Sequence, residues 1–156
     1  MCEQDDFGGF AQAGMTRRRF GSLALGAGVG LALPKLALAV DTKGQDVDIK
    51  TPAGTCDAYY VAPEQGKHPA VLIWPDIFGL REAFKGMATR LAQGGYSVLV
   101  VTPFYRTKRA PTSPPNPDFK DPAVRESLMA LRATLTPETV PVDAQAFVGF
   151  LDKQAA

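Results

Sequence analysis

Two kinds of apolar spacing alternate along the last two thirds of the chain. Val47 to Lys50 and Thr55 to Val61 are short β-prone stretches separated by Pro52-Ala53-Gly54, a turn sequence, so they predict an antiparallel hairpin. Ala70-Val71-Leu72-Ile73-Trp74 is an uninterrupted apolar run, the pattern of a strand covered on both faces. Over residues 80 to 93 the spacing changes to Phe84, Met87, Ala88 and Leu91, which is helical, and Gly94-Gly95 ends it. Tyr96 to Thr102 is apolar and continuous again. Strand, helix and strand in so short a stretch predict a right-handed βαβ unit with its loops at the carboxyl ends of the strands.

Pro111, Pro114, Pro115 and Pro117 forbid regular structure between Arg106 and Asp121. Asp121 then offers an N-cap and Pro122 a first helical position, with Val124, Leu128, Leu131 and Leu135 as the apolar stripe. A last helix over Val142 to Lys153 presents Ala146, Phe147, Phe150 and Leu151. The expected class is α/β, a hairpin joined to a parallel βαβ unit.

The first 39 residues follow a different logic. Arg17, Arg18 and Arg19 precede Phe20, an uncharged run from Gly21 to Leu33, and then Ala37-Leu38-Ala39. Basic region, short apolar region and A-x-A site in that order describe a signal peptide. The paired Arg17 and Arg18 with Phe20 resemble a twin-arginine export signal. An internal amphipathic helix is the competing reading, but the run has no polar face and its glycines penalise a helix in water. The run is also too short to span a bilayer, which takes about 20 residues. The chain is thus expected to divide into a leader, residues 1 to 39, cleaved after Ala39, and a body, residues 40 to 156. The export machinery is the expected partner of the leader, and the periplasm or the exterior of a bacterium the destination.

Once the leader is set aside, the body carries equal numbers of basic and acidic side chains. That balance gives no footprint for nucleic acid. Arg106, Lys108 and Arg109 are expected on a solvated loop. Cys2 falls in the leader, leaving Cys56 without a disulfide partner, and no metal-ligand spacing occurs. His68, the single histidine, is followed by Pro69 and an apolar run, so it reads as a loop residue entering a strand.

In open α/β sheets ligands bind beyond the carboxyl ends of the strands, so Pro75 to Leu80 and Pro103 to Arg109 are the informative loops. Asp76 stands just past the apolar run, next to a backbone that turns through Gly79 into a helix. A carboxylate there can orient a nucleophile or proton donor; equally, it can cap the following helix. A nucleophile elbow of the form G-x-[SC]-x-G needs a strand before it and a helix after it. Gly54-Thr55-Cys56-Asp57-Ala58 and Gly95-Tyr96-Ser97-Val98-Leu99 both lack the last glycine and lead into strands, so Cys56 and Ser97 are expected to be strand residues.

The sequence from residue 70 through Asp76-Ile77-Phe78-Gly79, then Leu91-Ala92-Gln93-Gly94-Gly95-Tyr96, then Pro103-Phe104-Tyr105-Arg106 resembles the amino-terminal half of dienelactone hydrolases. The resemblance implies part of an α/β-hydrolase sheet and an activity on small or cyclic carboxylic esters, with no cofactor. It places Asp76 where the family has an acid that contacts the nucleophile; most relatives have glutamate there, one methylene longer. It gives the backbone amide of Ile77 the role of an oxyanion donor. It aligns Arg125 with an arginine that binds the substrate carboxylate, against a plain surface arginine as the alternative. The family's nucleophile, acid and histidine would follow later in chain order, so the chain is expected to stop before the nucleophile strand and to lack ester turnover by itself. A non-catalytic exported module that binds a ligand or partner chain is the competing function.

Overall fold

A computed structural model describes residues 40 to 155. Arg17, Arg18, Phe20, Ala37 and Ala39 lie outside the described residues. The body is one mixed sheet flanked by helices. β1 (Thr42–Thr51) and β2 (Gly54–Pro63) form the expected hairpin, with Thr51 paired to Gly54 across Pro52-Ala53. Gly54 has φ +137°, which glycine alone adopts without strain. The strands run several residues beyond the apolar positions. Residues Lys43 to Asp46 carry the ladder through backbone pairing while their side chains stay exposed.

β3 (Ala70–Ile73) and β4 (Ser97–Val101) are parallel, and the sheet order is β1-β2-β4-β3. β4 sits between β2 and β3 and is buried along its whole length, as its continuous apolar run predicts. β3 departs from the expectation of a strand covered on both faces. Ala70 is exposed and Val71, Leu72, Ile73 and Trp74 are half-buried, because among the described residues β3 pairs only with β4 and forms the edge of the sheet.

Such an edge offers unpaired backbone donors and acceptors with no charged residue to discourage a second strand. Ala70→Lys places a charge at an exposed position of this edge. It is expected to lower self-association of the purified body, read by light scattering, while shifting stability by no more than about 0.5 kcal/mol.

The helix α1 (Glu82–Gln93) packs against β4 and β2, burying Ala88 and Ala92 with Leu80, Val61, Val98 and Val100. Met87 faces outward at 42% exposure, so the working stripe is narrower than the apolar spacing suggests. The helix starts later than residue 80 because residues 76 to 79 are committed to a turn. α2 (Pro122–Arg132) begins as expected: the Asp121 carboxylate accepts from the Ala123 amide at 2.9 Å and Pro122 occupies the first turn. Leu128 and Leu131 bury against Phe104. α3 (Thr139–Ala155) starts ahead of the expected Val142 and tolerates Pro141 in its first turn, where no intrahelical donor is required. Phe147 and Leu151 pack on the sheet with Ile49, Cys56, Tyr60 and Leu99.

Candidate functional site

The β1, β3 and β4 strands all end on one side of the sheet, and the polar clusters gather there. After β3, Trp74 and Pro75 lead into a tight turn at Asp76 to Gly79. The Asp76 carboxylate accepts from the Phe78 amide at 3.0 Å, so Asp76 closes a turn on its own backbone rather than capping α1, whose N-cap position is Arg81. Arg81 also grips the same carboxylate with both guanidinium ends, Nη1 to Oδ1 at 2.6 Å and Nη2 to Oδ2 at 2.8 Å. The hydrogen bonds from Arg81, reinforced by the Phe78 amide, hold the Asp76 carboxyl below its usual range. Its contribution to stability is therefore present above the normal carboxylate pKa and is lost as the pH falls through the depressed one.

Three more groups of the turn are bound. The Gly79 amide donates to the Asp76 carbonyl at 2.9 Å, and the Phe78 carbonyl accepts from the hydroxyls of Thr112 and Ser113 at 3.1 Å each. Gly79 has φ +76°, and a Cβ there would lie 2.0 Å from Thr112 Oγ1. In contrast, the amides of Asp76 and Ile77 donate to no protein atom among the described residues. An unspent N–H held in a fixed turn beyond a strand end is a donor available to an anionic oxygen.

After β4 the chain makes two further clusters. Asp57 of β2 takes the Thr102 hydroxyl and the Ala110 amide on one carboxylate oxygen, each at 2.9 Å, and its other oxygen is buried without a partner among the described residues. Asp143, on α3, is 1% exposed and receives the Tyr105 hydroxyl at 2.6 Å and both ends of the Arg106 guanidinium, one of them at 2.7 Å. Tyr105 also meets the Thr51 hydroxyl at 2.7 Å, so the cluster joins the end of β1, the loop after β4 and α3. The expectation of a solvated loop is thus corrected at Arg106, which a buried aspartate holds. It stands at Arg109, which pairs with Asp48 on the surface.

The other candidates separate. Arg125 is exposed in the first turn of α2, with no partner for its guanidinium among the described residues. The neighbouring Val124 packs against the cluster of Phe104, Leu128 and Leu131, as do Ile77 and Phe78. Cys56 is a fully buried strand residue of β2, and burial pushes its thiol up to about 12, where it is a poor nucleophile. Ser97 is the buried first residue of β4. His68 lies at the opposite end of the sheet, its ring nitrogens against the carbonyls of Gly95 and Gln65. Two clefts of about 450 Å³ flank the start of α1 and share Leu80, Arg81, Glu82 and Pro111; neither is lined by Asp76 or Ile77. Among the described residues no group of three potential metal ligands occurs, and no helix is long and apolar enough to cross a membrane.

A mixed sheet with a sharp turn past its parallel edge strand and helices on both faces is an α/β-hydrolase arrangement. Residues 56 to 156 match the family model for dienelactone hydrolases, and the chain belongs to that family. It is 34% identical over 97 residues to a Methylorubrum extorquens protein assigned as a carboxymethylenebutenolidase, a match covering 57% of this chain and 33% of that one. The fold is similar to the crystal structure of a protein from Klebsiella pneumoniae assigned as a dienelactone hydrolase. That similarity has a TM-score of 0.60 at 19% identity and covers 74% of this chain and 46% of the other. The chain therefore spans about a third of the one relative and less than half of the other.

Proposed function

We propose that residues 40 to 156 supply one wall of the cleft of an exported hydrolase acting on small or cyclic carboxylic esters. The observation that carries this reading is the turn at Asp76 to Gly79, where the Asp76 carboxylate and the amides and carbonyls of Phe78 and Gly79 are bound internally while the Ile77 amide is left to donate. In an ester hydrolysis that amide would stabilise the oxyanion of the tetrahedral intermediate. Asp76, oriented by Arg81, would face the nucleophile from the same turn, and Arg125 on α2 would meet a substrate carboxylate. The nucleophile and histidine would come from outside the described residues, since Cys56, Ser97 and His68 are all engaged in strands or at the far end of the sheet.

The test is a hybrid in which the segment of the Methylorubrum relative that matches this chain is replaced by this chain's residues. The hybrid is expected to hydrolyse carboxylic esters, and Asp76→Ala within it to lower turnover at least about tenfold with unchanged circular dichroism; positioned groups of this kind contribute roughly 10²–10⁴-fold. Residues 40 to 156 by themselves, without a segment that carries a nucleophile, are expected to show no hydrolysis above buffer. A folded hybrid with no turnover would favour the non-catalytic module instead.

Export by the twin-arginine route, with cleavage after Ala39, belongs to the same proposal. Supporting it, the Val40 amide, next after the cleavage site, is bonded to the Gln93 carbonyl at 3.2 Å and so already belongs to the folded body. Lysine replaces paired guanidinium groups poorly. Replacing Arg17 and Arg18 by lysine is expected to leave the precursor in the cytoplasm of a bacterial host. Undiminished export of that variant would reject the route.

A further inference from the structure

The proline-rich connection between β4 and α2 reaches back over the Asp76 turn. Thr112 is 5% exposed, and its hydroxyl and that of Ser113 converge on one acceptor, the Phe78 carbonyl. Phe119, from the same connection, meets Phe78 edge to face with ring centres 6.3 Å apart. Pro111 and Pro114 on either side have no backbone N–H to give, and the link is made by the two side-chain hydroxyls.

The consequence runs through two peptide planes. The Phe78 carbonyl and the Gly79 amide belong to one rigid peptide unit, because the peptide bond is planar. The Gly79 amide donates to the Asp76 carbonyl at 2.9 Å. That carbonyl in turn shares its peptide unit with the Ile77 amide and points opposite to it. Holding the Phe78 carbonyl therefore sets the first plane, which sets the second, which aims the Ile77 N–H. Asp76 Oδ1 on the Phe78 amide fixes the peptide unit between the two. Gly79 is required at the close approach, since a Cβ would displace Thr112 Oγ1.

We propose that Thr112 and Ser113 are positioning residues that set the orientation of the Ile77 amide. The functional meaning of that orientation rests on the oxyanion reading above; the geometry of the strap does not. Each hydroxyl-to-carbonyl bond is of modest strength, so its loss should speed opening of the turn about fivefold.

The measurement is amide hydrogen exchange by NMR on the full ¹⁵N-labelled chain. Thr112→Val and Ser113→Ala are each expected to raise exchange at Gly79 about fivefold, and the double variant about twenty-five-fold, with a shifted Ile77 amide resonance. Amides of β4 and α1 should keep their wild-type exchange, and Thr112→Ser should restore the Gly79 rate. Unchanged Gly79 exchange in the double variant would overturn the proposal. So would an increase matched in β4 and α1, which would mean that the strap only stabilises the fold. In the hybrid enzyme the double variant should lower kcat and leave KM within about twofold, as expected for a donor that acts on the transition state. Local exchange with unaltered kcat would count against the oxyanion role of Ile77 and leave the strap's hold on the amide intact.

Discussion

Asp143→Ala is expected to lower the unfolding free energy by about 3–5 kcal/mol, the usual loss when one partner of a buried ion pair is removed and the other is left behind. Asp143 is 1% exposed and Arg106 18% exposed, so water cannot easily replace the missing carboxylate. The Tyr105 hydroxyl would lose its acceptor at the same time. Domains of this size hold only about 5–15 kcal/mol in total, so the variant should unfold at markedly lower urea concentration. A loss below about 1 kcal/mol would show that the cluster is hydrated in solution. The wild type carries a matching pH signature. Burial, then the bond to Asp143, pushes Tyr105 up to about 12, and burial does the same to Cys56. Both groups ionise more easily in the unfolded chain. Their contribution is complete below the unfolded values of 9.0 and 10.0 and disappears as the pH rises toward about 12.

Gly79→Ala is the other substitution expected to cost the fold heavily. At φ +76° an alanine is strained by about 1–3 kcal/mol, and its Cβ, 2.0 Å from Thr112 Oγ1, would also dislodge a bond worth about 1 kcal/mol. Gly54 provides the control: its φ is also positive, but no atom lies within 4 Å of the place its Cβ would take, so Gly54→Ala should show the backbone strain alone. Urea unfolding of the two variants checks the difference. Equal losses would mean that Thr112 moves aside without penalty.

The elements were legible because each has a local cause: the Pro52-Ala53-Gly54 turn, the Asp121-Pro122 start, the Gly94-Gly95 stop and the unbroken run at β4. The position of Asp76 and Ile77 just past a strand was legible for the same reason, since the βαβ pattern names its own carboxyl end. What connects distant positions was not. Asp143 looks like one more polar residue on a helix, and its partners Tyr105 and Arg106 lie 38 and 37 residues away. Thr112 and Ser113 act on a backbone carbonyl, which no side-chain motif records. The pairing of Asp76 with Arg81 has a weak signal, a spacing of five residues across a turn, which points to no motif. The run of Val, Leu and Ile at β3 reports what a strand can bury, not which neighbours it has; among the described residues its second neighbour is missing, as expected of a stretch that precedes the nucleophile strand.

Whether the turn beyond β3 donates the Ile77 amide to an ester's developing oxyanion is best decided by changing the oxygen rather than the protein. Sulfur accepts hydrogen bonds weakly, so a thionoester keeps the reaction and removes the value of the donor. The kcat/KM of the hybrid enzyme on an aryl ester and on its thionoester analogue should differ by about 10²–10³-fold beyond the ratio for alkaline hydrolysis of the same pair, the loss typical of one oxyanion donor. A ratio equal to that of the alkaline reaction would mean that the Ile77 amide does not serve the oxyanion.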